Sequence, residues 1–141
     1  MATLTQGVQR YREHNADEVL NDVPAIATDI VYEGAAIGDN GSGFGRPLVA
    51  GDPFMGWSIA TVDNSLGAAG DKLIRTIQRT TMQLDVVGAT GVGDQGEIVY
   101  AADDNVFTLT VGTNTPVGKI SRYVTGTTCM VYSEALALQS L

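Results

Sequence analysis

The chain holds one cysteine, Cys129, and one histidine, His14. A cysteine nucleophile needs a base to take its proton, and a histidine is the usual one. Here the two stand at opposite ends of the sequence. Cys129 lies in the apolar run Cys129-Met130-Val131, the setting of a thiol that packs as a small hydrophobe. His14 lies in a polar segment. No nucleophile–base pair is legible, so the catalytic set is read as empty. A single cysteine also excludes an intramolecular disulfide and a cysteine-rich zinc site.

Carboxylates are plentiful and could supply acid–base chemistry of the glycosidase kind. They fall in turns: Asp39, Asp52, Asp63, Asp71, Asp94, Asp103 and Asp104. Aspartate favours turns because its side chain bonds to the backbone two residues on, and that explains the placement without an acid–base pair. Gly91-Val92-Gly93-Asp94-Gln95-Gly96 matches G-x-G-x-x-G. A dinucleotide site needs a helix to follow, whose N-terminus holds the pyrophosphate. Glu97-Ile98-Val99-Tyr100 follows instead and reads as a strand. Asp39-Asn40-Gly41-Ser42-Gly43 resembles the opening of a calcium loop, but glycines stand where oxygen ligands are needed. No metal and no cofactor is expected. Trp57, Tyr11, Tyr32, Tyr100, Tyr123 and Tyr132 could form a ligand-binding face, yet nothing groups them in the sequence, and such residues are more often core or cross-strand packing.

The elements that would position these residues follow from composition. Among 141 residues there are 17 Gly, 15 Val and 15 Thr. Valine and threonine suit a pleated, half-buried surface, and glycine supplies the turns. This predicts an all-β domain, a small antiparallel β-barrel or sandwich of short strands with an extended N-terminal arm. No apolar run approaches the ~20 residues of a membrane-spanning helix. Sixteen acidic against eight basic side chains give a net charge of −8. The chain lacks the clustered cations that nucleic acid or an anionic membrane requires. No signal-peptide-like stretch opens it, so synthesis in a cytoplasm is expected, and the sequon Asn40-Gly41-Ser42 is a chance match.

Residues 1–25 read as an arm and 26–141 as the β-domain. The arm carries Arg10, Arg12, Glu13, Asp17, Glu18 and Asp22 without apolar periodicity. It is either a mobile terminus, a short surface helix around Ala16–Leu20, or a segment that orders on a partner. Strands are expected at 26–33, 48–50, 56–62, 72–79, 82–86, 97–101, 106–111, 119–125 and 129–134, by alternation and by their spacing. Residues 34–45 hold five glycines and read as a loop, with Asn40-Gly41 as a hairpin-type turn signal. Pro116 is placed in a loop at 112–118, where a missing N–H is harmless.

From Asn64 onward the order of turns and strands resembles the capsid cement, or head-decoration, proteins of tailed bacteriophages. The similarity is carried by Asn64-Ser65-Leu66-Gly67-Ala68-Ala69-Gly70-Asp71-Lys72, by GATGVGDQGEIVYAADDNVFTLT at 88–110, and by Asn114-Thr115-Pro116-Val117-Gly118-Lys119. It covers roughly residues 50–134. It implies a small β-barrel or sandwich without catalytic residues. Such a protein binds the outer face of an icosahedral shell, commonly as a homotrimer that clamps neighbouring coat subunits. The partner would be the major capsid (coat) protein and the location the outer capsid surface of the virion. The chain departs from compact members of the family in its N-terminal segment and its Gly-rich 34–45 stretch.

On that resemblance the arm is expected to contact the coat through Arg10, Tyr11 and Arg12, since Arg and Tyr are favoured at hot spots. Asp39, Asn40, Phe44 and Arg46, in and beside the Gly-rich loop, are candidate contacts between subunits. The alternative is a virion-displayed carbohydrate-binding or adhesive β-module, for which an exposed Trp57 would be the first requirement. A β-fold enzyme using two carboxylates in one cleft is the third class.

Overall fold

The computed structural model describes residues 3–13 and 18–135. Twelve strands occupy them: β1 (Arg12–Glu13), β2 (Val19–Pro24), β3 (Asp29–Val31), β4 (Ala36–Asp39), β5 (Gly45–Pro47), β6 (Phe54–Ser58), β7 (Val62–Asn64), β8 (Leu73–Val87), β9 (Ile98–Ala101), β10 (Phe107–Thr108), β11 (Thr115–Thr125) and β12 (Thr128–Glu134). Among the described residues helix is confined to a 3-10 turn, Val92–Asp94. The all-β expectation holds.

The spine is β8, fifteen residues long. It merges the two strands expected at 72–79 and 82–86. In its second half Met82, Leu84 and Val86 are buried while Gln83, Asp85 and Val87 are exposed, the period of a strand covered on one face. That half closes a five-strand barrel. β12 pairs antiparallel with β8, β11 with β12, β9 with β11, and β10 with β9. β10 then returns to β8 in parallel, Phe107 opposite Val86. Closure leaves the barrel strands no open edge. Val99, Phe107, Val117, Ile120, Cys129 and Val131 fill it, with Leu48, Phe54 and Trp57 packed in the same cluster. Each large apolar side chain so buried contributes roughly 1.5–3 kcal/mol.

The first half of β8 serves a second group of strands. β2 pairs along Leu73–Arg79, β6 sets Trp57 against Ile77, and β4 joins β6 to β5. A parallel bridge, Ala25 to Gly45, brings the end of β2 back to β5. Leu4, Ala25, Val31, Ala35, Ile37 and Ile74 form the core here. β3 and β7 make a separate two-stranded ladder. Two glycines let backbones approach. Gly56 has φ +114, and a Cβ there would stand 2.5 Å from the Ile77 carbonyl oxygen. A Cβ at Gly118 would collide with the Tyr132 carbonyl oxygen.

Several local expectations change. His14–Asp17 lie outside the described residues, as do 136–141. Leu20, the end of the expected helix, is instead in β2, because the edge of β8 supplies a pairing partner that no local pattern announces. The 34–45 loop is the β4–β5 hairpin, turned at Asn40-Gly41. Two of its glycines serve packing and not a loop: Gly38 and Gly45 are buried, and a Cβ at Gly38 would stand 2.5 Å from Asp52 Oδ2. Residues 48–50 form only a bridge, Val49 to Asp103. Residues 56–62 split between β6 and β7. Pro116 lies inside β11, at a register shift between Pro116 and Gly118, where a missing N–H interrupts no regular ladder.

Candidate interface

The segment leading into β1 is bound to the fold. Thr3 and Leu4 donate their N–H groups to Asp104 Oδ1, at 2.6 and 3.4 Å, and the Thr3 hydroxyl bonds to Asp103. Leu4 is buried. Arg10 donates from Nε to the Gly34 carbonyl and from Nη2 to Asn105 Oδ1, each at 2.7 Å. Its guanidinium carbon stands 5.5 Å from the Trp57 ring centroid and 5.4 Å from that of Phe107. Burial lowers its pKa to about 10, against the field of Asp104 and Asp85, which raise it. Arg10 is therefore an internal fastener.

Its expected companions divide. Arg12 is half-buried and paired with Glu18 at 3.3 Å. Tyr11 is 60% exposed. Of the three expected coat contacts, only Tyr11 presents its side chain outward without an internal task. A cleft of about 250 Å³ beside them is lined by Arg10, Glu33, Trp57, Ser58 and Ile59 among others.

The second set of expected contacts lies in and beside the β4–β5 turn. There two loops meet across Ala25 and Ile26. The β4–β5 turn is tied by aspartate and asparagine side chains. Asp39 Oδ1 accepts from Gly41 N and Gly43 N, and Asn40 Oδ1 from Ser42 N and Phe44 N. Gly41, Ser42 and Gly43 are exposed and Phe44 is half-buried. Arg46 turns back on Asp52 in a bidentate pair at 2.9 and 2.8 Å, which raises its pKa. Arg46 is committed to the fold, while Asp39 and Asn40 shape the turn.

The neighbouring loop runs from Asp63 to Lys72. Asn64 is buried and spans it, donating from Nδ2 to the Ile26 and Ala68 carbonyls at 2.9 and 3.0 Å. Ser65 bonds to Asp63 Oδ1 through N–H and hydroxyl, Ala68 N donates to Asp71 Oδ2, and Lys72 Nζ donates to the Asp63 carbonyl. The Ser65 bonds hold the Asp63 pKa below its ordinary value. Gly70 N donates to the Ala25 carbonyl and Ile26 N to the Gly45 carbonyl, so both loops hang on one segment. Phe44 Cε1 lies 3.5 Å from where a Cβ on Gly70 would stand. Thr28, at φ +54, donates its N–H to the Gly67 carbonyl. At the tip of this loop Leu66 is fully exposed, at 101% of its reference area.

In the sequence Leu66 stands inside a turn motif and is not among the expected site residues. The available signal was a lone large apolar residue in a run of Asp, Asn, Ser, Gly and Ala. The other chemistry-bearing residues are dispersed. Trp57 is 1% exposed and donates from Nε1 to Ser133 Oγ. Cys129 is buried, and desolvation first, then Asp94 and Asp85, raise its pKa. Asp94 is a turn residue that accepts from Thr90 N and Gly91 N, which lowers its pKa. Gly91–Gly96 passes through the 3-10 turn to β9. Among the described residues no three His, Cys, Asp or Glu are grouped to hold a metal, and no helix is long and apolar enough to cross a membrane.

No protein-family model matches the chain, nor does any curated protein or solved structure.

Proposed function

We propose that this chain is a structural virion protein that binds the outer surface of an icosahedral phage capsid. It stabilises the shell by bridging subunits of the major capsid protein and does so as a homotrimer. The observation that carries the reading is the order of turns and strands from Asn64 to Glu134. That order resembles the cement family, and it coincides with a closed barrel preceded by a loop held rigid by its own side chains. The barrel supplies a packed platform. Recognition falls to its projecting loops, the usual division of labour between scaffold and loops.

The physics requires no catalysis. A stable protein interface buries about 1,200–2,000 Å² in total. A ligand that binds only the assembled shell adds RT ln(1 + [L]/Kd) per site, about 2.7 kcal/mol at a hundredfold excess over Kd. Many copies then resist internal pressure by mass action. The net charge of −8 suits a partner with basic ground on its outer face and disfavours contact with packaged nucleic acid. The glycan-binding alternative loses the residue that motivated it, because Trp57 is buried.

The test is co-sedimentation of the purified chain with expanded shells assembled from the coat protein of the same phage genome. Saturable binding that raises the shell's melting temperature is expected. No binding to expanded or unexpanded shells would overturn the reading.

A further inference from the structure

We infer that Leu66 is the anchor through which the Asp63–Lys72 loop docks on the coat protein, in an apolar socket edged by Arg or Lys. The inference rests on the capsid reading and assigns it a contact residue other than Arg10, Tyr11 and Arg12.

Three observations carry it. First, Leu66 is fully exposed, at 101% of its reference area, with no burial in either apolar core. An isolated exposed leucine on a mobile tip means little, and this tip is not of that kind. Second, the loop is tied on both sides of Leu66. Ser65 is bonded to Asp63, Gly67 N donates to the Asn64 carbonyl, Gly67 accepts from Thr28 N, and Ala68 is bonded to Asp71. The ordering entropy that docking would demand is already spent in folding, the condition under which a small apolar contact yields affinity. Third, the surroundings specify the partner. Ala68, Ala69 and Gly70 are exposed and small, so an opposing surface can approach the leucine closely. Asp63 and Asp71 flank it, and Asp29 pairs with Asn64 across the β3–β7 ladder. Each of these carboxylates is bonded through one oxygen only, and the exposed Lys72 is held by its Nζ on the Asp63 carbonyl, which leaves three carboxylates against one ammonium. An apolar knob in an acidic rim complements an apolar socket in a basic rim. Such charge matching governs orientation and encounter rate more than raw affinity.

The experiment compares the unchanged chain, Leu66→Asp and Leu66→Met in shell co-sedimentation, with melting temperature and solution mass recorded for each. Leu66→Asp should lose at least ~10-fold in affinity, with melting temperature and mass unchanged. Leu66→Met should bind as the unchanged chain does, and raising the salt concentration should weaken both. Equal binding by Leu66→Asp overturns the inference and leaves the capsid reading standing. A drop in the mass of Leu66→Asp also overturns it, since the socket then belongs to a second copy. Absence of binding by the unchanged chain overturns the capsid reading and the inference together.

Discussion

The guanidinium of Arg10 lies over the indole of Trp57, 5.5 Å from the ring centroid. Around it, two neutral oxygens, from Gly34 and Asn105, receive its hydrogen bonds. This one residue ties the entering chain to the barrel core through Trp57 and Phe107, and to the Asp103–Asn105 turn. Cation–π contact with little water present contributes up to ~2 kcal/mol. Hydrogen bonds from a charged donor contribute ~1.5–3 kcal/mol.

Arg10→Ala should therefore destabilise the fold by ~2–4 kcal/mol, from lost bonds and from two unfilled acceptors. Arg10→Lys should recover only part, because an ammonium cannot reach both acceptors from one plane. Tyr11→Ala, one residue on and exposed, should shift stability by ~0.5 kcal/mol or less. Urea denaturation of the three variants tests this. Equal stability of Arg10→Ala and Tyr11→Ala would remove the fastening role.

Asp104 predicts a pH dependence of definite sign. Its side chain is buried, Oδ1 accepts from Thr3 and Leu4, and Oδ2 has no partner. Burial raises its pKa from 3.8, a shift opposed by the two N–H donors and reinforced by Asp103. Its charge acts in turn on Arg10, whose pKa it raises against the effect of burial. A raised folded value means that the folded state holds the proton more tightly than the unfolded state. The contribution of Asp104 is therefore full below pH 3.8 and is lost as pH rises through the raised value. Asp63 and Asp94, with lowered values, act in the opposite sense and lose their contribution as pH falls. Asp104→Asn keeps the Oδ1 acceptor and should abolish the decline on the alkaline side of 3.8, leaving the loss at acid pH in place. Parallel thermal melts from pH 3 to 8 would show it, and identical slopes in the two proteins would refute it.

Gly118 predicts a steric cost. A methyl group there runs into the Tyr132 carbonyl across the β11–β12 ladder. Gly118→Ala should cost ~1–3 kcal/mol, the usual penalty of overpacking. Gly41→Ala, with open space around it but φ +95, should cost only the left-handed backbone penalty of ~1–2 kcal/mol. Calorimetry on both separates collision from conformational strain.

Cys129 predicts inertness. It is fully buried and its thiol pKa is raised by desolvation, so little thiolate exists to react. A disulfide reagent at pH 8 should label the native chain only as fast as it opens, and label it at once in denaturant. Immediate labelling of native protein would contradict the burial.

Much of the barrel was legible because its information is local. Alternation at Met82, Leu84 and Val86 and at Ile98–Ala101, with turns at Asp103–Asn105, specifies strand, face and boundary within a few residues. The Asn40-Gly41 turn was legible for the same reason. The burial of Cys129 was readable from its apolar neighbours. What the tertiary structure decided depends on partners distant in sequence. Only the edge of β8 makes a strand of Val19–Pro24, only Asp52 explains why Gly38 is glycine, and only the Trp57 and Phe107 rings with the Gly34 and Asn105 acceptors draw Arg10 inward from where an anchor was expected. Leu66 reads as one residue of a turn until folding shows that Ser65, Gly67 and Ala68 beside it are hydrogen-bonded while its own side chain stands fully in water. A sequence lists which side chains are apolar or charged. Whether each is satisfied inside the molecule is settled by pairing across tens of residues, and the side chains left unsatisfied are the ones free to meet a partner.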